Sequence, residues 1–137
     1  MNSEVKAKWV EALRSGEYKQ TYGGGLRIDD CYCTLGVLCD LYVKENNASW
    51  DLNEGYTIRD DEKVMVRTYT LYGENAFIPK MVAEWAGIDG IDVNLKVPYD
   101  NFGEPSEDEE SLETISNLND SFGIDFNEFA DLIEQQL

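Results

Sequence analysis

The chain contains no histidine. That absence removes the Ser-His and Cys-His pairs on which much nucleophilic catalysis rests, and with them the His-Glu-x-x-His zinc motif. No apolar run approaches the roughly 20 residues that span a bilayer as a helix. The opening Met-Asn-Ser-Glu-Val-Lys has no apolar segment of the kind a secretory leader needs. The expectation is a soluble, cytoplasmic protein without a membrane partner. Cysteine is sparse and odd in number, at positions 31, 33 and 39. In a reducing compartment these thiols stay unpaired. A Cys-x-Cys zinc site would need ligands that a chain without histidine supplies poorly, so no metal or other cofactor is expected. Small buried hydrophobes are the better reading of the three.

Positive charge is the other scarcity. The 137 residues carry 11 Lys and Arg against 28 Asp and Glu, a net charge of −17. Residues 1–70 hold nine basic and twelve acidic side chains, a net of −3, while residues 71–137 hold two and sixteen, a net of −14. After Lys96 there is no base at all. Such a surface repels phosphate backbones and anionic membranes, which argues against direct nucleic-acid binding. It suits a protein partner with a basic surface, although acidity also serves plain solubility.

What is present is ordinary globular material: 42% hydrophobic and 12% aromatic residues, with eight Tyr. The length suits one domain with a real core. Its centre is the unit 3–45. Val5, Trp9, Ala12 and Leu13 share a helix face, which Ser15-Gly16 ends. Leu26–Ile28 and Cys31–Cys33 flank Asp29-Asp30 as a short hairpin. Thr34 is then placed to cap a helix whose apolar face is Leu35, Leu38, Cys39 and Tyr42. A loop follows at 46–49, with Trp50 folding back on the core. Tyr56–Arg59 and Val64–Leu71, around Asp60-Asp61-Glu62, predict a second hairpin. Pro79 suits the first position of a helix closed by Gly87. Ile91–Val97 alternates like a strand, and 99–106 reads as a loop. Ser106-x-x-Glu109 and Asp125-x-x-Glu128 are capping boxes, so an acidic, helical C-terminal part is expected over 106–137. Leu112, Ile115 and Leu118 would be buried in its first helix, and Phe126, Phe129, Ala130, Ile133 and Leu137 in its last. The fold class is therefore α+β: about five helices packed on a small antiparallel sheet of two hairpins.

Several stretches imitate functional motifs. With Glu128 in the last place, Asn117–Glu128 sets Asn117, Asn119, Ser121 and Asp125 where a calcium loop has ligands. Yet its first ligand is not Asp and Phe122 stands where the sharp turn needs Gly. The glycines at 23–25 lack the Gly-Lys-Ser/Thr of a phosphate loop. Arg14, Tyr18, Gln20 and Arg27 lie around that run and form the candidate site for a small anionic or nucleotide ligand. Glu107, Asp108, Glu109, Glu110 and Glu113 form the candidate interaction surface. No catalytic residue is assigned.

The runs WVEALRSGEY (Trp9 to Tyr18), Gln20, and CYCTLGVLCDLY (Cys31 to Tyr42) resemble a widespread group of small bacteriophage proteins. Their pattern is WVxALRSGxYxQ followed by YCxLGVLCDLY. IPKMVAEWAGI (Ile78 to Ile88) and LNDSFGIDFNEFADLIE (Leu118 to Glu134) extend the likeness more weakly. The segment from Trp50 to Tyr72 and the acidic run near 107 depart from the pattern. The resemblance implies a phage-type accessory protein working in the host cytoplasm. With the charge asymmetry, it leads to a non-enzymatic protein that binds a basic host protein, such as a nucleic-acid-binding defence factor. The alternative is a module that sequesters a small molecule or nucleotide signal.

Overall fold

A computed structural model of the chain describes residues 1–100 and 103–137. Helix α1 (Ser3–Arg14) starts where Asn2 Oδ1 accepts from the backbone N–H groups of Glu4 (2.9 Å) and Val5 (3.1 Å). These are donors that a helix's first turn leaves unpaired. Val5, Trp9, Val10 and Leu13 form its buried face, and Gly16 (φ +76°) turns the chain away.

Three two-residue strands follow: β1 (Lys19–Gln20), β2 (Arg27–Ile28) and β3 (Cys31–Tyr32). β2 and β3 make the expected hairpin, turned at Asp29 (φ 50°). Helix α2 (Thr34–Glu45) is the centre of the molecule, with every residue from Thr34 to Asp40 buried. Its cap differs from expectation. Cys33 is the capping residue, its Sγ accepting from Gly36 N–H at 3.3 Å. The Thr34 hydroxyl instead donates to Asn119 Oδ1 at 2.9 Å, a partner 85 residues away. The Trp9 indole N–H donates to the Thr34 carbonyl at 3.1 Å, so α1 and α2 meet through a satisfied buried group.

β4 (Asp51–Arg59) and β5 (Glu62–Thr70) pair antiparallel along their full nine residues. Asp60 and Asp61, both at positive φ (52° and 62°), make the two-residue turn that suits the twist of a hairpin. β5 also pairs with β2. The sheet order is β1-β3-β2-β5-β4, with β1 and β3 parallel. The sheet is thus larger than two hairpins and mixed rather than antiparallel. The hairpins join edge to edge, and β1 adds alongside.

Helix α3 (Lys80–Ala86) takes Pro79 as its capping residue, one place before the expected position, and ends at Gly87 (φ 69°). β6 (Asn94–Val97) pairs with β7 (Ser111–Thr114) in a separate two-stranded sheet. Here a helix was expected from Ser106. Ser106 Oγ does accept from Asp108 N–H (3.2 Å) and Glu109 N–H (3.1 Å), but no helix propagates. Four consecutive acids with no base three or four places away repel one another on a helix, whereas pairing with β6 satisfies the backbone. Leu112 is consequently exposed (63%) rather than buried. Helix α4 (Ile115–Asp120) buries Ile115 and Leu118 as expected. Asp125 Oδ1 accepts from Glu128 N–H (2.9 Å) and so caps helix α5 (Phe126–Gln136), whose Phe126, Phe129, Ala130 and Ile133 are buried. Of the expected 99–106 loop, residues 101 and 102 lie outside the described residues.

One hydrophobic core runs from Val5 to Ile133 and takes in all five helices. The protein is therefore an α+β single domain, with five helices among the described residues. Among the described residues no helix is long and apolar enough to cross a membrane.

Cys33 and Cys39 sit in that core as expected, at 5% and 0% exposure, while Cys31 is half-buried. Burial pushes the Cys33 thiol from 9.0 up to about 12 and raises the Cys39 thiol as well. Above pH 9 the unfolded chain releases these protons and the native state holds them. The stabilising difference is complete below pH 9 and is lost as pH climbs toward 12. Each thiol contributes a slope of about 1.4 kcal/mol per pH unit. Urea unfolding under reducing conditions should therefore lose about 2–3 kcal/mol between pH 9 and 10, and replacing both thiols by alanine should flatten that step. Native titration with a thiol reagent should find at most one fast group, Cys31, and three after denaturation. Three fast thiols in the folded protein would contradict this placement of the core.

Candidate functional site

The residues expected to hold a small ligand do not converge as a set of four. Arg14 closes α1 against α5, with Nη2 on Asp131 at 2.7 Å and Nη1 on Glu134 at 2.9 Å. Those hydrogen bonds raise its pKa further. It lines an open groove of about 670 Å³ along α1, together with Lys6, Val10 and Glu11. Gln20 is committed elsewhere: its Nε2 donates to Asn119 Oδ1 and to the Ile124 carbonyl, both at 2.8 Å.

Tyr18 and Arg27 do come together, across Tyr32. The Tyr18 and Tyr32 rings meet edge to face at 5.0 Å. The Arg27 guanidinium lies 5.1 Å from the Tyr32 ring, 3.8 Å from Tyr69 and 5.8 Å from Trp50. Sheet register explains the cluster, since Tyr32, Arg27 and Tyr69 are direct cross-strand neighbours on one face. The aromatic faces take up part of the guanidinium's charge, and Arg27 enters no ion pair among the described residues. Its Nε is buried without a hydrogen-bond partner there.

Below this cluster lies a buried carboxylate that sequence reasoning missed. Asp40 of α2 accepts from Tyr18 OH (2.7 Å), Trp50 Nε1 (3.0 Å) and Lys44 Nζ (3.2 Å). A buried charge requires such partners, and the i,i+4 spacing of Asp40 and Lys44 was its one local signal. Burial pushes the Tyr18 phenol up to about 12. The hydrogen bond to Tyr18, with that to Asp40, raises Lys44. Neither group is poised near neutrality, where general acid–base catalysis is most efficient. The cluster acts as a clamp that ties the sheet to α2.

The acidic surface divides. Glu107, Asp108, Glu109 and Glu110 are exposed on the segment leading into β7, and none enters an ion pair among the described residues. Lys96 of β6 shares a cleft of about 560 Å³ with Glu110 without pairing to it. Glu113 does not belong to this open strip. It is half-buried and accepts from Asn117 Nδ2 at 2.8 Å.

The groups of the calcium-like stretch are spent on structure. Asn119 is fully buried, Ser121 ends α4, and Asp125 caps α5. Asn119 is a hub that the sequence did not reveal, because its partners Gln20, Thr21 and Thr34 are remote in the chain.

Fold and surface together define a single-core α+β domain built on a central helix and a mixed sheet. The chain matches, over residues 1–137, the family described as Domain of unknown function (DUF8296), and it belongs to that family. No curated protein and no solved structure matches it.

Proposed function

We propose that the protein is a non-enzymatic accessory protein of phage type that works in the host cytoplasm by binding another protein. Its acidic strip engages a basic surface, such as that of a nucleic-acid-binding defence factor. The observation that carries this reading is the strip from Glu107 to Glu110. Its four carboxylates are exposed in succession without an internal counter-charge among the described residues, with exposed Leu112 beside them. Charged strips of this kind steer association and set specificity. Pull-down from host lysate should recover a basic partner at low salt and lose it as salt screens the charges. Replacing all four acids by lysine should abolish capture while leaving the thermal midpoint near that of the parent, because these side chains support no packing. No partner at any salt, or capture that survives the reversal, would overturn the proposal.

A second reading, sequestration of an anionic small molecule, is favoured by Arg27 alone, whose Nε has no hydrogen-bond partner among the described residues. A nucleotide that raises the thermal midpoint would move the assignment there, since a ligand that binds only the native state stabilises it.

A further inference from the structure

Strand β4 is the outermost strand of the five-stranded sheet, and among the described residues no strand pairs with its other edge. Nine residues of open edge invite pairing, and natural proteins blunt such edges with Lys, Pro or bulges. β4, Asp-Leu-Asn-Glu-Gly-Tyr-Thr-Ile-Arg, has neither Lys nor Pro. We propose that this edge pairs antiparallel with β4 of a second copy of the chain, with Gly55 on the two-fold axis.

The backbone sets which groups are free. Arg59 and Glu62 close the two-residue turn, so they form a hydrogen-bonded pair. By alternation Arg59, Thr57, Gly55, Asn53 and Asp51 spend their N–H and C=O groups on β5. Ile58, Tyr56, Glu54 and Leu52 direct theirs outward. With Gly55 opposite Gly55, Glu54 faces Tyr56 of the second copy and Leu52 faces its Ile58. Every outward group then meets an outward group, as an isologous pairing requires.

The side chains choose the same register. Asp51 falls opposite Arg59 of the second copy at both ends, and neither residue enters an ion pair in the monomer among the described residues. Leu52 (50% exposed) and Ile58 (67%) become a cross-strand apolar pair. Sliding one way by two residues sets Glu54 opposite Glu54. Sliding the other way carries Asp51 past the strand end to Asp61. The location also suits a chain that otherwise repels its own copies. Residues 51–70 hold three bases and five acids, a net of −2 out of −17. Gly55 adds a further sign. Its φ is not positive, and a Cβ there would meet nothing within 4 Å. The monomer has no need of a glycine that weakens its strand, whereas the axis brings two backbones to the short separation of a non-hydrogen-bonded pair.

Sedimentation equilibrium of the full chain at moderate salt, which screens the overall repulsion, tests this. The interface is small, so a reversible dimer with a dissociation constant on the order of tens of micromolar is expected. Asp51→Arg alone and Arg59→Asp alone should each weaken the dimer by about tenfold or more, since each places like charges opposite one another at both ends. An equimolar mixture of the two variants should recover it, because the mixed pair restores opposite charges at both ends. Recovery also shows that both variants are folded. Ile58→Lys, at an exposed position, should weaken the dimer without lowering the thermal midpoint. A wild-type chain that stays monomeric up to roughly 500 μM, a range in which such small interfaces associate, would overturn the proposal. So would single variants that dimerise as wild type does, or a mixture no stronger than its components.

Discussion

Gly36→Ala should lower the thermal midpoint by roughly 10 °C or more, as read by dichroism at 222 nm. Taken alone, alanine is the better helix residue by about 1 kcal/mol, and Gly36 lies in the first turn of α2 at an ordinary φ. Local propensity therefore predicts a gain. Packing reverses the sign. A Cβ on Gly36 would lie 1.9 Å from the Leu26 carbonyl oxygen and 2.8 Å from its carbon. Both are backbone atoms, and the same carbonyl accepts the Cys33 N–H at 3.1 Å. No rotamer change relieves that contact, so β2 and the start of α2 must move apart. Separating them disturbs Leu26, Cys33 and Leu35, all buried, at a cost of about 3 kcal/mol or more. A variant as stable as the parent would mean that α2 does not ride on the Leu26 backbone.

That contact illustrates what the sequence could and could not disclose. Periodicity placed α1 and α5 well, because each buries one face and the face is written at helical spacing; α2 was placed too, although its first two turns are buried all round. The paired aspartates at 29–30 and 60–61 marked both hairpin turns, since few other residues tolerate the positive φ found at three of those positions. The joining of the two hairpins and the addition of β1 were not legible, because two-residue strands carry no period. β7 was read as helix because Ser106-x-x-Glu109 is a sound local signal. The pairing partner that overrides it, β6, lies 14 residues away even at the nearest paired positions, Val97 and Ser111.

The candidate sites fared according to the same rule. Exposure of Glu107 to Glu110 follows from composition, so that strip was readable. The grouping of Arg14, Tyr18, Gln20 and Arg27 rested on nearness in sequence, and the fold sends Arg14 to α5 and Gln20 to Asn119. Arg27 reaches its aromatic partners only through strand register, and Asp40 gathers Tyr18 and Trp50 from opposite sides of α2 in the chain. Polar hubs of this kind depend on contacts between distant segments, which no local pattern encodes.

The largest single polar effect should come from Asn119→Ala. Asn119 is fully buried and makes five hydrogen bonds. Its Oδ1 accepts from Gln20 Nε2 (2.8 Å), Thr34 Oγ1 (2.9 Å) and Thr34 N–H (3.2 Å), and its Nδ2 donates to the Thr21 carbonyl and Asp120 Oδ1, both at 2.8 Å. The side chain thus ties the β1 region and the start of α2 to the end of α4. Truncation leaves the Thr34 N–H and the Thr21 carbonyl without these partners. Gln20 is partly spared, because it keeps the Ile124 carbonyl at 2.8 Å. With each orphaned buried group costing about 1–3 kcal/mol, the total should be about 4 kcal/mol. Asn119→Asp keeps the acceptor but loses the donor and sets a charge beside Asp120, so it should not rescue the loss. In urea the midpoint should fall for both variants with the slope unchanged, the mark of lost stability without a change in the surface exposed on unfolding. A truncation costing less than about 1 kcal/mol, the net worth of one ordinary hydrogen bond, would show that water replaces Asn119. The acidic C-terminal half would then be held to the core unit by apolar packing and by the remaining ties from Arg14 to Asp131 and Glu134 and from Gln20 to the Ile124 carbonyl.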